Sequence, residues 1–288
     1  MESNPKPKIT CQLMGGLGNQ LFQIFATLAY AHKHGRDFYF LNQTHLGHPP
    51  GMVRPTNWET LFHSLKPFLV NCDSNANTNH KAFRYRELNF SFHEIPPLAH
   101  GTVVLQGYFQ SYQYFQEEAE TIYHLLHLSD IRQGVLSRYT QVNPANSISM
   151  HFRRGDYKTL KDCYPLATVD YYREAMCRLK DSGCNTVLYF CEDDDLPEVQ
   201  EMVDELQIAF GSLSFVRCDP LLADWEQLLV MSACRHNIIA NSSFSWWGAY
   251  LNTHPDKKVC YPAHWFGPKL PHDISDLCPL EWIRIESV

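Results

Sequence analysis

The sequence predicts an α/β protein of two doubly wound parallel-sheet domains, residues 1–145 and 146–288. Three observations carry that prediction. Strands and helices alternate with short connections from residue 147 to 262, the pattern of a parallel sheet covered by helices on both faces. The chain opens with a strand, a glycine turn, a helix and a strand, a βαβ unit whose right-handed crossover makes a parallel pair. A chain of 288 residues, 44% hydrophobic and 19% charged, can bury two cores of ordinary size.

After a polar, Pro-rich lead "MESNPKPK" that reads as disordered, "KITCQLM" is a short strand ending at Gly15-Gly16. In "GNQLFQIFATLAYAHKHG" the apolar residues fall at 21, 22, 24, 25, 28 and 29, which is helical spacing, and Gly35 suits the C-cap. "DFYFLN" is the second strand. Over 42–100, "HLGHPPGMVRP" and "NCDSNANTNHK" read as loops around a short helical piece, "NWETLFHSL". "GTVVLQGYFQS" restores a strand and turn, "YQYFQEEAETIYHLLHL" predicts a long amphipathic helix, and "SDIRQGVLSRY" another. "TQVNPANS" reads as the linker.

The second half predicts strand 147–152, helix 168–182, strand "TVLYF", the acidic turn "CEDDD", helix 195–209 and strand "LSFVR". Helix "LLADWEQLLVMSACR", strand "NIIA", helix "SSFSWWGAYLN" and strand "KVCYP" follow. Both halves are therefore Rossmann-like, and no internal sequence repeat is visible.

A net charge of −7 without a basic stripe argues against nucleic-acid binding. No apolar run reaches 18 residues and no apolar core follows a basic N-terminus, so neither a membrane span nor a secretory signal is expected, and the location expected is cytoplasmic. Ten cysteines are scattered without C-x-x-C pairs, the usage of reduced structural thiols. The sequons at Asn42, Asn89 and Asn241 carry no weight without a secretory route.

In an open parallel sheet, ligands sit at the carboxyl ends of the strands. "HFRRGDYK", "CEDDD", "NSSF" and, in the first half, "GGLGNQ" all follow predicted strands. A guanidinium fits phosphate oxygens two at a time, and "NSSF" opens a helix whose free amides lie beside Ser242 and Ser243. Arg153 and that helix start would together hold a diphosphate. A surface salt bridge plus a routine serine cap would explain each feature singly. Two anion-suited features on neighbouring loops of one sheet favour the site.

"GGLGNQ" lacks the G-K-[ST] ending of a triphosphate loop. It offers Gly16 and Gly18 of a dinucleotide fingerprint but Leu21 at the third glycine, and Asp37 precedes the second strand instead of ending it. The loop still lets backbone approach a ligand, and Asn19 adds a neutral donor and acceptor. Asp193 and Asp195 form a D-x-D that could hold a divalent cation on a diphosphate. Asp195 before Leu-Pro197 reads more simply as an N-cap, while Asp193 nearer the strand end could still bind nucleotide. The fifteen histidines form no metal motif. Trp246-Trp247 fits a core role at helical spacing better than a sugar platform.

Together, "GGLGNQLFQIFATLAYA", "LQGYFQSYQYF", "HFRRGDY", "CEDDD", "NIIANSSFSWWGAYLN" and "PAHWFG" resemble the inverting α-1,2-fucosyltransferase family, in family order. The resemblance implies a GT-B fold with two domains facing a central cleft. It implies GDP-β-L-fucose as donor, a galactose-terminated oligosaccharide as acceptor at its 2-hydroxyl, and no obligatory metal. Carried over, Arg153 contacts the donor diphosphate, His151 and Asp156 flank it, and Asn241, Ser242, Ser243 and Phe244 form the phosphate-side turn. Gly16, Gly18 and Asn19 of the N-terminal glycine loop, together with Asp193 and Gln227, join the donor contacts, and Tyr108 and Gln110 are candidate acceptor contacts. Arg153, Asp156 and Asn19 form the expected catalytic set. Asp156 would serve as general base or as a brace for Arg153, with Asp162 the second candidate base.

One position departs from the pattern. Many relatives carry Asp four residues before the Met that is Met231 here, and this chain has Gln227; Glu226 or Asp224 could substitute in reading guanine. A membrane anchor of the kind animal Golgi members carry is not expected. Two rival readings remain at this stage: a non-catalytic sugar- or nucleotide-binding protein, and a metal-dependent transferase using Asp193 and Asp195.

Overall fold

A computed structural model describes residues 6–46, 54–71 and 82–287. The first five residues of the lead, most of the loop "HLGHPPGMVRP", all but Asn71 of "NCDSNANTNHK", and Cys72 within it lie outside the described residues.

The first unit is built on β1 (Lys8–Cys11) and α1 (Leu17–Lys33). Gly15, between them, has φ +76, and a Cβ there would strike the Asn19 side chain, so this turn requires glycine. α1 is buried nearly all round, including three polar residues, Gln20, Gln23 and Thr27. Burial is tolerated because each is bonded: Gln23 Oε1 accepts from Met14 N at 2.9 Å, and its Nε2 donates to Gly107 O at 3.1 Å. Gln23 thus ties the chain leaving β1 to the chain after Gln106.

The predicted strand "DFYFLN" divides into β2 (Asp37–Phe38), paired with β1, and β3 (Phe40–Leu41). β4 (His45–Leu46) and β5 (Arg54–Pro55) pair antiparallel, and β6 (Leu69–Val70) pairs with β3. β7 (Phe83–Arg86) and β8 (Thr102–Gln106) complete a four-stranded parallel sheet in the order β2-β1-β8-β7. The long helix predicted from Tyr112 is broken. Ser111 caps a 3₁₀ turn at Tyr112–Tyr114, and only then come α2 (Ala119–Leu125) and α3 (Leu128–Leu136), separated by His127 at φ +51.

The packing division falls inside α3, after Ile131, and Asp273–Cys278 packs with the first unit. Arg132 donates to Leu251 O at 3.1 Å, Arg138 to Glu226 at 2.9 Å and Gln141, in the predicted linker, to Arg217 O at 2.6 Å, which ties the chain from Arg132 to Gln141 to the second unit. Asp276 O accepts from Ser111 Oγ at 2.7 Å, which ties its segment to the first.

The second unit runs β9 (Ser147–His151), α4 (Val169–Leu179), β10 (Thr186–Phe190), α5 (Leu196–Ala209) and β11 (Ser214–Arg217). It continues with α6 (Asp224–Ala233), β12 (His236–Ile238), α7 (Ser243–Tyr250), β13 (Val259–Pro262) and a strand the periodicity did not reveal, β14 (Ile283–Ile285). All six strands are parallel, in the order β11-β10-β9-β12-β13-β14. The chain builds outward from β9, then crosses back to lay β12 on its other side. That reversal between β9 and β12 is the topological switch point, where a crevice opens at the strand ends.

Buried polar groups fix the two central strands. Asn237 Nδ2 donates to Ser149 Oγ at 2.7 Å and Met231 O at 3.0 Å, while its Oδ1 accepts from Asn252 at 2.8 Å. Two tyrosines of α4 hold the strand ends: Tyr171 OH donates to Ile239 O at 2.5 Å, and Tyr172 OH to His151 O at 2.9 Å. Trp246 and Trp247 are fully buried, so the core role stands. Cys11, Cys218 and Cys260 are buried thiols that burial pushes up to about 12, which makes them inert packing groups.

Asn237→Ala should cost about 2–4 kcal/mol in denaturant unfolding, because it strands several buried polar partners at once. An unchanged midpoint would show that the network does not hold the central strands.

Candidate functional site

The site grows from the end of β9, where the chain passes through His151 and Phe152 to two adjacent arginines. They divide the work. Arg154 turns into the fold, donating to Ala167 O at 2.8 Å and pairing with Glu198, with its side chain 11% exposed. Arg153 stays at the strand end, paired with Asp156 and Glu192, its guanidinium 4.9 Å above the Tyr157 ring. Tyr157 OH donates to Asn241 O at 3.2 Å, and the His151 ring lies 5.6 Å from that of Phe244. Through these two contacts the Arg153 loop is joined to the turn that follows β12.

Asp195 shapes the loop. It is 1% exposed, and its carboxylate accepts from Gly155 N at 2.6 Å and from Lys158 at 2.6 Å. The predicted N-cap role is corrected: Asp195 occupies the position before α5 but makes no side-chain cap bond there, because both oxygens are committed to the Arg153 loop. Asp193, the other half of the D-x-D, is exposed and pairs with Arg217. Among the described residues, no group of three or more metal-ligating side chains gathers.

On the other side, Ser242 caps α7, its Oγ accepting from Phe244 N at 3.3 Å. Ser243 and Phe244 are half-buried. The first amides of a helix have no partner within it, and the dipole favours an anion there. Asn241 also anchors this segment. Its Nδ2 donates to Pro165 O at 2.9 Å and Trp265 O at 3.1 Å, so the side chain fastens the turn.

Burial, and then the neighbouring Arg153 charge, push His151 down to about 3, so its ring is neutral at ordinary pH. It is 8% exposed, and among the described residues its Nδ1 has no hydrogen-bond partner. Burial works against the charge on Arg153, but Glu192 and Asp156 outweigh it and hold the guanidinium above its usual range. A fixed cation, a neutral unpartnered imidazole and a helix start thus converge at the switch point. That is chemistry for an anion with several oxygens.

Other expected residues are distributed as follows. Gln227 Nε2 donates to Leu222 O at 3.0 Å, leaving its carbonyl as the acceptor. Glu226 is committed to Arg138 and to Ala223 N at 3.0 Å, and Asp224 accepts from Trp225 N, so neither substitutes cleanly for the missing aspartate. Asp162 is exposed and pairs with Lys269 at 2.8 Å. In the first unit, Gly16 precedes α1 in extended backbone, Gly18 is buried in its first turn, and Asn19 Oδ1 accepts from Gln110 at 2.8 Å. Tyr108 stands 37% exposed at the end of β8.

Sequence reasoning missed three participants. Glu87 accepts from Tyr108 N at 2.7 Å and Phe109 N at 2.9 Å and so holds the Tyr108–Gln110 turn; burial pushes its carboxyl up to about 7. Tyr157 and Glu192 were both inside quoted motifs. The signal for Glu192 was its place directly past a strand end, which was read for metal binding and helix capping alone.

The family description "Glycosyl transferase family 11" matches residues 3–285 of the chain. An α-1,2-colitosyltransferase of Escherichia coli is 30% identical over 65% of this chain and 63% of its own length. The chain spans less than two thirds of the length of the bacterial relatives it matches. A galactoside α-(1,2)-fucosyltransferase 1 from Saimiri boliviensis boliviensis is 24% identical over 92% of this chain and 75% of that one. Among solved structures, the E. coli ADP-heptose lipopolysaccharide heptosyltransferase II has a TM-score of 0.51 at 9% identity, covering 98% of this chain and 91% of that chain. That likeness is one of fold, and it agrees with the expected GT-B class. No helix among the described residues is long and apolar enough to cross a membrane.

His151 carries the pH prediction. Its folded-state value is depressed from 6.5 to about 3, so its contribution is present above pH 6.5 and is lost as pH falls toward 3. His236, pushed down to about 4 chiefly by burial, acts in the same direction. Thermal unfolding of the wild type should therefore fall more steeply below pH 6.5 than that of His151→Gln. Parallel curves would show that the ring is not buried in neutral form.

Proposed function

The chain belongs to glycosyl transferase family 11, and on that footing we propose that it is an inverting galactoside 2-α-L-fucosyltransferase. It moves L-fucose from GDP-β-L-fucose to the 2-hydroxyl of a terminal galactoside, forming an α-1,2 linkage. The observation that carries the reading is the convergence of Arg153, His151 and the Ser242-capped start of α7 at the β9/β12 reversal.

Inversion calls for one in-line displacement. The acceptor hydroxyl attacks the anomeric carbon from the face opposite GDP as the bond to GDP breaks, passes its proton to a base, and the sugar ring becomes oxocarbenium-like as in glycoside hydrolysis. Charge accumulates on the β-phosphate oxygens as the C–O bond breaks. Arg153 and the α7 amides, fixed before reaction, stabilise that charge. His151 supplies a neutral nitrogen beside them.

Asp156 is proposed both as the brace of Arg153, from whose guanidinium its carboxylate accepts, and as the base that takes the acceptor proton. The Gln227 carbonyl is the proposed guanine contact on α6. Gln110 and Tyr108, past the end of β8, are the proposed acceptor contacts, and Asn19 in the first turn of α1 is a proposed donor-side and catalytic residue. Transfer is proposed to need no metal, because Asp193 is committed to Arg217 and Asp195 to Gly155 and Lys158. The donor sugar has a second reading, colitose, which the name of the E. coli relative favours.

Arg153→Ala should lower the rate of GDP release with lactose by about 10²–10³-fold or more, with unfolding unchanged. Wild-type turnover should persist in EDTA. Near-normal turnover of the variant would remove the central assignment, loss in EDTA would restore a metal, and binding without GDP release would leave a non-catalytic protein. Assaying GDP-fucose against GDP-colitose, with the product linkage read by NMR, decides the donor.

A further inference from the structure

The Arg153 cluster is anionic in the structure. One guanidinium meets two carboxylates, Asp156 and Glu192, for a net charge of −1, and His151 beside them is neutral. The nearby cations give no relief, since Arg154 is matched to Glu198, Lys158 to Asp195 and Glu198, and Arg217 to Asp193. A nucleoside diphosphate carries at least two negative charges, and repulsion between like charges opposes its entry to such a cluster. A carboxylate has to leave Arg153 as the diphosphate arrives.

Asp195 is buried and doubly bonded, and Glu198 is shared between two cations. Asp156 has a short side chain on the same loop as Arg153 and is 32% exposed. Glu192 differs from all three. It follows β10, its side chain is 56% exposed, and it makes no cap bond to its own 3₁₀ turn. Among the described residues, its carboxylate has Arg153 as its one hydrogen-bond partner. Gly155 makes room for it: a Cβ at that position, where φ is +34, would press on the Glu192 carboxylate.

We propose that Glu192 is a displaceable gate on the donor site: it holds Arg153 in the empty protein, is displaced by the donor diphosphate, and returns as GDP leaves. The inference rests on the donor reading above and adds how that site opens and empties. Glu192 acts through Arg153 and is a positioning residue. The exchange swaps one anion for another on the same guanidinium, so Arg153 is never left bare. The competing carboxylate weakens nucleotide binding and speeds release of the product.

Glu192→Gln keeps the length and removes the charge. Calorimetric titration of the full chain should show GDP and pyrophosphate binding about two- to fivefold more tightly than to wild type, the order of one partly exposed charge pair, with guanosine unchanged. Donor KM and kcat should fall together, because release slows. Glu192→Ala should give the same direction, whereas Asp156→Asn should show no gain. A gain in affinity is not what a structural lesion produces. GDP and pyrophosphate binding that is unchanged or weaker in Glu192→Gln, at an unchanged unfolding midpoint, would overturn the gate. If pyrophosphate gains while GDP binds neither protein, the gate stands and the donor reading falls.

Discussion

Asp195 sets the geometry on which the site depends. Its carboxylate is almost wholly removed from water, and such a group persists only if its oxygens are paired. Both partners, the Gly155 amide and the Lys158 ammonium, lie on the loop that carries Arg153. The stability of the buried charge and the path of that loop are therefore one condition. Removing the Lys158 ammonium would leave the buried Asp195 carboxylate without its charge partner. The loop then fixes which arginine faces the crevice: Arg154 is drawn to Ala167 O and Glu198, and Arg153 remains at the strand end.

The strand order supplies the second half of the arrangement. Parallel strands leave their carboxyl ends on one edge, and only where the winding reverses do the connections depart to opposite faces and leave a gap. Here that gap is bounded by β9 and β12, whose ends are clamped from α4 by Tyr172 on His151 O and Tyr171 on Ile239 O. The clamp matters because charge stabilisation depends on donors that do not have to reorganise. Rigid strand ends and a braced loop meet that requirement, while Glu192, at the exposed end of β10, supplies the part that moves.

What was legible in the chain was periodic or local. "TVLYF" is β10 as quoted, and the strand–glycine–helix opening is β1 and α1, because burial and helical spacing write themselves into neighbouring residues. The position of Arg153 followed from strand-end logic. Its separation from Arg154 did not, since that depends on Glu198, 44 positions away. Asp195 was misread for a related reason: a carboxylate before Leu-Pro is locally an N-cap, and its true partners lie about 40 residues earlier. The Tyr112 helix failed because Ser111 and the left-handed His127 cut a pattern that apolar spacing left continuous. The edge of the second unit was hidden in side-chain bonds from Arg132, Arg138 and Gln141 to distant backbone and carboxylate groups.

A neutral histidine beside the arginine has a consequence for how such a site behaves with pH. An imidazole free in water titrates near 6.5, so a charged histidine at the seat would make anion affinity vary across the neutral range. Burial against Phe244 and the field of Arg153 move the His151 transition to about 3, leaving the guanidinium as the cation, and a guanidinium does not titrate. The charge available to a diphosphate is then constant from mildly acidic to alkaline pH. The seat also keeps a nitrogen whose burial would be costly without the strand end and the ring that hold it. Among the described residues the His151 Nδ1 has no hydrogen-bond partner and is closed off from solvent, a cost that the packing around the strand end has to offset.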